Sequence, residues 1–131
     1  MTLSPRLGPL GQVSRTVADI AASTKFFQHT LGLEHLFTFG KLAFFDCHGT
    51  RLYLQEVEST QAESVLYFRV ADIDAEYRAL QERGVAFKAA PHKIHTHDDG
   101  TSEWMVFFED LEGRPLALMS QIPARAADDA P

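Results

Sequence analysis

Val17-Ala18-Asp19-Ile20 returns letter for letter as Val70-Ala71-Asp72-Ile73, an offset of 53 residues. Further along, Asp46-x-x-Gly49 returns as Asp110-x-x-Gly113 at an offset of 64, and Phe44, Leu52 and Leu54 recur at that offset as Phe108, Leu116 and Leu118. The chain therefore carries one plan twice, with about a dozen additional residues in the middle of the second copy. A unit repeated in this way does not bury its apolar face alone. Two sheets that pack together leave a groove, and a groove is where binding or chemistry is expected.

Each copy reads as strand, helix and three strands. Gln12 to Val17 has the β-branched residues of a strand, and Asp19 is placed to cap a helix by accepting from the exposed N–H groups that follow. Ile20, Phe26, Phe27 and Leu31 recur at helical spacing, and Gly32 suits a left-handed stop. Leu33 to Phe39 and Leu42 to Asp46 form a hairpin about Gly40-Lys41. Asp46 to Gly49 carries the pattern of a type I turn, and Arg51 to Glu56 alternates as a strand. The second copy opens with Val65 to Val70, and Asp72 caps a helix with Ile73, Tyr77 and Leu80 on its apolar face and Gly84 at its end. Val85 to about Ile94 reads as a strand with Pro91 marking an edge or bulge, and Asp98-Asp99-Gly100 as a turn. Glu103 to Glu109 and Pro115 to Ser120 complete the plan.

The chain's 131 residues suit a single domain over 1–123, with modules over about 8–58 and 64–122 and a frayed tail over 124–131. A net charge of −6 argues against nucleic acid as a partner. No apolar run reaches bilayer length, and Met1 to Arg6 lacks a secretory apolar region, so no membrane association and a cytoplasmic location are expected. The single cysteine, Cys47, excludes an intrachain disulfide.

The repeat, Phe26-Phe27 with Leu31-Gly32-Leu33, and the stretch Phe107-Phe108-Glu109-Asp110-Leu111-Glu112-Gly113-Arg114-Pro115-Leu116-Ala117-Leu118-Met119 resemble the vicinal oxygen chelate superfamily. That group includes glyoxalase I, bleomycin-resistance proteins, methylmalonyl-CoA epimerase and extradiol dioxygenases. The resemblance covers about residues 8 to 122 and implies an α+β fold. In it, two tandem βαβββ modules form a curved mixed sheet around a cavity, often in a homodimer. It also implies a divalent metal held by His, Glu or Gln on the first and last strands of each module. Alignment through the repeats puts those positions at Gln12, Tyr53, Val65 and Ala117. Val and Ala offer no lone pair, whereas such sites need about three converging protein donors. No divalent metal and no other cofactor are expected.

Strand alternation selects what lines the groove instead. Gln12, Tyr53, Tyr67, Arg69 and Met119 face it, and Trp104 is a candidate aromatic wall. Arg69 would hold an anionic group or pair with a nearby carboxylate. Arg15 breaks the alternation and is read as a stem reaching solvent. His92, after Pro91, is the candidate general base, because imidazole titrates near neutral pH. His95 and His97 lie beside the Asp98-Asp99-Gly100 turn and read as a solvated tip. Cys47 and His48 diverge within a turn, and Glu56, Glu58 and Glu63 read as a solvated edge and connector. The expected function is capture of a small organic molecule in the manner of bleomycin-resistance proteins, independent of metal. The alternatives are a glyoxalase- or isomerase-type lyase acting on a small carbonyl compound, with or without a divalent metal, and a partner-binding module.

Overall fold

A computed structural model describes residues 9–124. The tail expected over 124–131 lies outside the described residues from 125 onward. The chain divides into two compact units, Met1–Gln61 and Ala62–Pro131, and each carries one βαβββ module.

In the first unit, β1 (Gln12–Val17) runs parallel to β4 (Thr50–Glu56), while β2 (Glu34–Phe39) and β3 (Leu42–Cys47) complete a mixed sheet in the order β1-β4-β3-β2. Helix α1 (Ile20–Lys25) begins where Asp19 accepts from Ala22 N–H at 3.0 Å, as its side chain chemistry predicts. Glu56 is not part of a solvated edge. Its Oε1 accepts from Ile20 N–H at 2.9 Å and ties the last strand to the helix start. The helix then widens into one π-turn over Phe26–Thr30, with Leu31 N–H bonded to Phe26 O. Phe27 is buried beside Phe45, at 6.0 Å between ring centroids. Gly32, at φ 78°, ends the helix in the left-handed region.

The core of this unit is Val17, Phe27, Ala43, Phe45, Leu52 and Leu54. Arg15 lies among them at 2% exposure, so its stem does not reach solvent. The alternation of β1 accounts for this, since Val13, Arg15 and Val17 share the inner face. The turn between β3 and β4 is also tighter than the type I reading. Cys47 pairs with Thr50, leaving His48 and Gly49 as a two-residue loop with φ of 51° and 97°. Two successive positive φ values are the mark of a type I′ hairpin, which matches the twist of its strands.

The second unit repeats the order as β5-β8-β7-β6, from β5 (Leu66–Arg69), β6 (His92–Thr96), β7 (Ser102–Glu109) and β8 (Pro115–Ile122). Asp72 caps α2 (Ile73–Glu82) by accepting from Ala75 N–H at 3.1 Å. Its core is Ile73, Leu80, Val106, Phe108, Leu116, Ala117 and Leu118. Glu63 is no free connector residue, for its carboxylate lies 3.0 Å from Arg114 Nη1.

Two differences separate the copies. The β7–β8 connection is one residue longer than its counterpart, because Glu109 pairs with Pro115 across five residues where Asp46 pairs with Arg51 across four. Phe108, facing Leu116, is therefore the counterpart of Phe45, which faces Leu52, and not of Phe44. The second difference concerns the segment 85–91, read from sequence as a strand. It forms none, and on that edge β7 is paired only by β6, through Ser102 to Met105. Residues Ala43 to Asp46 in the first unit all face β2, whereas their counterparts Val106 to Glu109 face no strand on that side. Pro91 supplies no N–H for a ladder. Phe87 instead turns its ring to Tyr77 of α2 at 4.7 Å and to Phe108 at 5.7 Å.

Candidate functional site

The segment that leaves the sheet opens a cavity of about 350 Å³ along the free edge of β7. Its lining includes Phe87, Lys88, His92, Phe107, Glu109 and Pro115. The volume falls at the lower end of small-molecule pockets, and the lining is mainly apolar with a few polar groups, as such pockets require. His92 stands in this lining, and its Nδ1 lies 3.3 Å from Ala90 O. A carbonyl only accepts, so Nδ1 is the donor in this contact.

Register fixes which other side chains share the face of this sheet, since paired residues project to the same side. His92 pairs with Met105, Met105 with Met119, and Met119 with Arg69. The next row runs Phe107, Ala117, Tyr67. Four of the residues singled out in sequence, Tyr67, Arg69, His92 and Met119, thus share one face of the sheet, but only His92 lines the cavity, and Tyr67 and Arg69 stand on β5 at the opposite edge. The structure separates Trp104 from them. Trp104 pairs with Lys93 and Ser120 on the opposite face, with Val106 and Phe108, and its Nε1 donates to Ser102 Oγ at 2.9 Å. Gln12 and Tyr53 belong to the first unit, where Gln12 pairs with Arg51 and Tyr53 with Ser14.

At one end of the same face, Glu103 accepts from His97 Nε2 at 2.9 Å and from Gln121 Nε2. These hydrogen bonds, with the charges of His97 and Arg69 nearby, hold its carboxyl below the ordinary carboxylate range. The His97 side of the hairpin tip is therefore tied down. Sequence spacing could not reveal this, because the pairing depends on a register shift between Lys93 and His95. Cys47 in the first unit has its thiol pushed up by burial and then by Asp46, which leaves it protonated at neutral pH and a poor nucleophile.

The metal positions implied by the fold can be tested on the donors present. Ala117 is fully buried because Tyr67 and Phe107 meet edge to face above it, 5.9 Å between centroids. Val65 has only an isopropyl group. Two of four positions thus carry no donor, and one is roofed by rings. Among the described residues, no group of three or more His, Cys, Asp or Glu side chains is placed to hold a metal ion. The residues at these positions do not fit a divalent cation.

Solved structures with related folds include an integron cassette protein from the mobile metagenome of V. cholerae, with TM-score 0.71 at 18% identity, covering 90% of this chain and 98% of that one. A member of the glyoxalase/bleomycin resistance protein/dioxygenase superfamily from Sphaerobacter thermophilus matches with TM-score 0.65 at 22% identity, covering 87% and 98%. Lactoylglutathione lyase from Agrobacterium tumefaciens matches with TM-score 0.65 at 18% identity, covering 88% and 96%. At these identities the likeness is one of fold. No curated protein matches the chain. No helix among the described residues is long and apolar enough to cross a membrane. The family profile spans residues 10–118, nearly the whole of both modules, and the chain belongs to the Glyoxalase/Bleomycin resistance protein/Dioxygenase superfamily.

Proposed function

We propose that this protein binds a small organic molecule in the cavity beside β7, without a metal at the positions where its superfamily holds one. The observation that carries the reading is the cavity itself. About 350 Å³ of mainly apolar space opens where the second module departs from the first, and His92 stands in its wall. Phe87, Phe107 and Pro115 would enclose an apolar body. Lys88 and Glu109 would orient polar groups at the rim.

A second reading, a lyase or isomerase acting on a small carbonyl compound, is favoured by one feature. His92 lines the cavity, and with Nδ1 donating to Ala90 O the neutral ring would offer Nε2 as a base. In that reading Nε2 takes the proton next to the carbonyl, and Lys88, in the same lining, stabilises the enolate oxygen.

Both readings are tested by a fragment library screened on ¹⁵N-labelled protein. Binding is expected to shift amides of residues 86–92 and 106–109, and Ala89→Trp, which fills the cavity from an exposed position, should abolish it. Fragments that bind only elsewhere, or equally well to Ala89→Trp, would refute the site. His92→Ala separates the readings, since it spares affinity in a sequestering protein and removes turnover in an enzyme.

A further inference from the structure

The end of β7, from Val106 to Glu109, pairs with β8 on one side and with no strand on the other. Asp110 N–H donates to Arg114 O across the turn, so the main chain at Asp110 points toward β8. Direction alternates along a strand, which turns the N–H and C=O groups of Val106 and Phe108 toward β8 and those of Phe107 and Glu109 outward. Thr101 gives the same parity from the other end, for its carbonyl accepts from His97 N–H on the β6 side. β6 starts at His92, opposite Met105, and reaches no further along β7. Among the described residues, no hydrogen bond reaches the outward groups of Phe107 and Glu109, and none joins the backbone of residues 86–89 to β7. The first unit has no such edge, since β2 faces Ala43 to Asp46 throughout. The cavity lies along this open edge, with Phe87, Lys88 and Ala89 also in its lining. Backbone donors and acceptors at Phe107 and Glu109, about 7 Å apart along the strand, therefore border a mainly apolar space.

We propose that the guest of this cavity is an extended small compound bearing secondary amides, which adds to the open edge of β7 as a short strand. The inference rests on the cavity reading above and narrows its ligand class. A purely apolar guest would strip water from the outward groups of Phe107 and Glu109 and leave them unpaired, which is costly for each. A carboxylate only accepts, so it would satisfy the N–H groups and leave the C=O groups without donors. A chain of secondary amides offers a donor and an acceptor at every second position, with the spacing of the strand itself, and meets both kinds of group. It would follow the line that residues 88 to 90 would take if β6 continued antiparallel to β7 beyond His92. Apolar substituents would rest against Phe87 and Phe107. Lys88 and Glu109 bring charges of opposite sign to the lining, so the guest needs no net charge. The volume, near the lower end for small-molecule pockets, suits a compound the size of a capped dipeptide rather than a strand of another protein.

The test uses acetyl-valyl-valine N-methylamide as probe. Its all-ester analogue, with an oxygen in place of each N–H, keeps the apolar body and removes every donor. Calorimetry should give a Kd on the order of 1 mM for the amide. The ester, although the more apolar compound, should bind at least about tenfold more weakly. Hydrogen exchange reads the edge directly. In the free protein the amides of Phe107 and Glu109 should exchange faster than those of Val106 and Phe108, which face β8. With the amide probe at about ten times its Kd, exchange at Phe107 and Glu109 should slow by about tenfold. Ala89→Trp should remove both the binding and the slowing. Ester binding as tight as that of the amide, amide binding that leaves exchange at Phe107 and Glu109 unchanged, or no binding of the amide to the unmodified protein would overturn the proposal. If other fragments still shift residues 86–92 and 106–109, the amide inference falls alone. If nothing occupies the cavity, the reading on which it rests falls with it.

Discussion

Tyr67 and Phe107 meet edge to face at 5.9 Å across the methyl group of Ala117. They lie on β5 and β7, with β8 between them, and only a side chain as small as alanine allows them to touch. The contact closes off one of the positions where the superfamily carries a metal ligand. Introducing a donor there would not restore a site. Ala117→Glu would drive a carboxylate under two rings and cost about 3 kcal/mol. Urea unfolding should register that loss, with no gain in affinity for zinc or nickel. A variant of undiminished stability that binds either ion would show that the rings yield readily.

Arg114 and Asp110 form a second close relationship, in the β7–β8 turn. Arg114 Nε donates to Asp110 Oδ2 at 3.1 Å, while Asp110 Oδ1 accepts from the Glu112 and Arg114 N–H groups. Both side chains are buried, and Glu63 joins them from the connector. Arg114→Ala is expected to destabilise the protein by about 3 kcal/mol, since it strips a buried carboxylate of its counter-charge. Glu63→Gln, at the more exposed end, should cost about 1 kcal/mol or less. Equal losses would mean that the connector contact carries the network.

His48 holds φ 51° in the type I′ turn, a conformation that costs most side chains about 1 kcal/mol and that asparagine tolerates. Asn-Gly is the preferred pair for this turn. His48→Asn should raise stability by about 0.5 kcal/mol in chemical denaturation. A loss of stability would indicate that the imidazole has a role the turn geometry does not suggest.

Glu103 gives the hairpin of β6 and β7 a dependence on pH. Its folded-state pKa lies below its unfolded value, chiefly through the hydrogen bonds from His97 and Gln121. Its stabilising contribution is therefore present above the ordinary carboxylate range and lost as pH falls through the depressed value. The Gln121 side-chain amide and the His97 ring should show a shared NMR transition below the ordinary glutamate range. Glu103→Gln should abolish that transition. Its persistence would assign it to another carboxylate.

Much of the fold was legible in the sequence because its determinants are local. The Asp19 and Asp72 caps, the stops at Gly32 and Gly84, and the full extent of β1 follow from side-chain chemistry and alternation. Errors arose where tertiary contacts decide. Val85 to Pro91 has the composition of a strand, but the Phe87 ring is drawn to Tyr77 and Phe108, and the cavity opens as a result. The equivalence of Phe44 with Phe108 was lost because a turn gained one residue, which no letter pattern records. The charge of Arg15 predicts a side chain reaching solvent, but strand parity turns it inward and it is buried. The same parity puts Trp104 on the face opposite to Tyr67, Arg69 and Met119.

What the β7 cavity holds when the protein is taken from cells bears on all of these points. Native mass spectrometry of the purified protein, paired with elemental analysis, reads both the guest and any metal. The expected result is an organic adduct that is lost in Ala89→Trp, with divalent metal far below one ion per chain. A divalent ion retained at one per chain and released by Gln12→Ala would contradict the reading and return the protein to the metal-dependent chemistry of its superfamily.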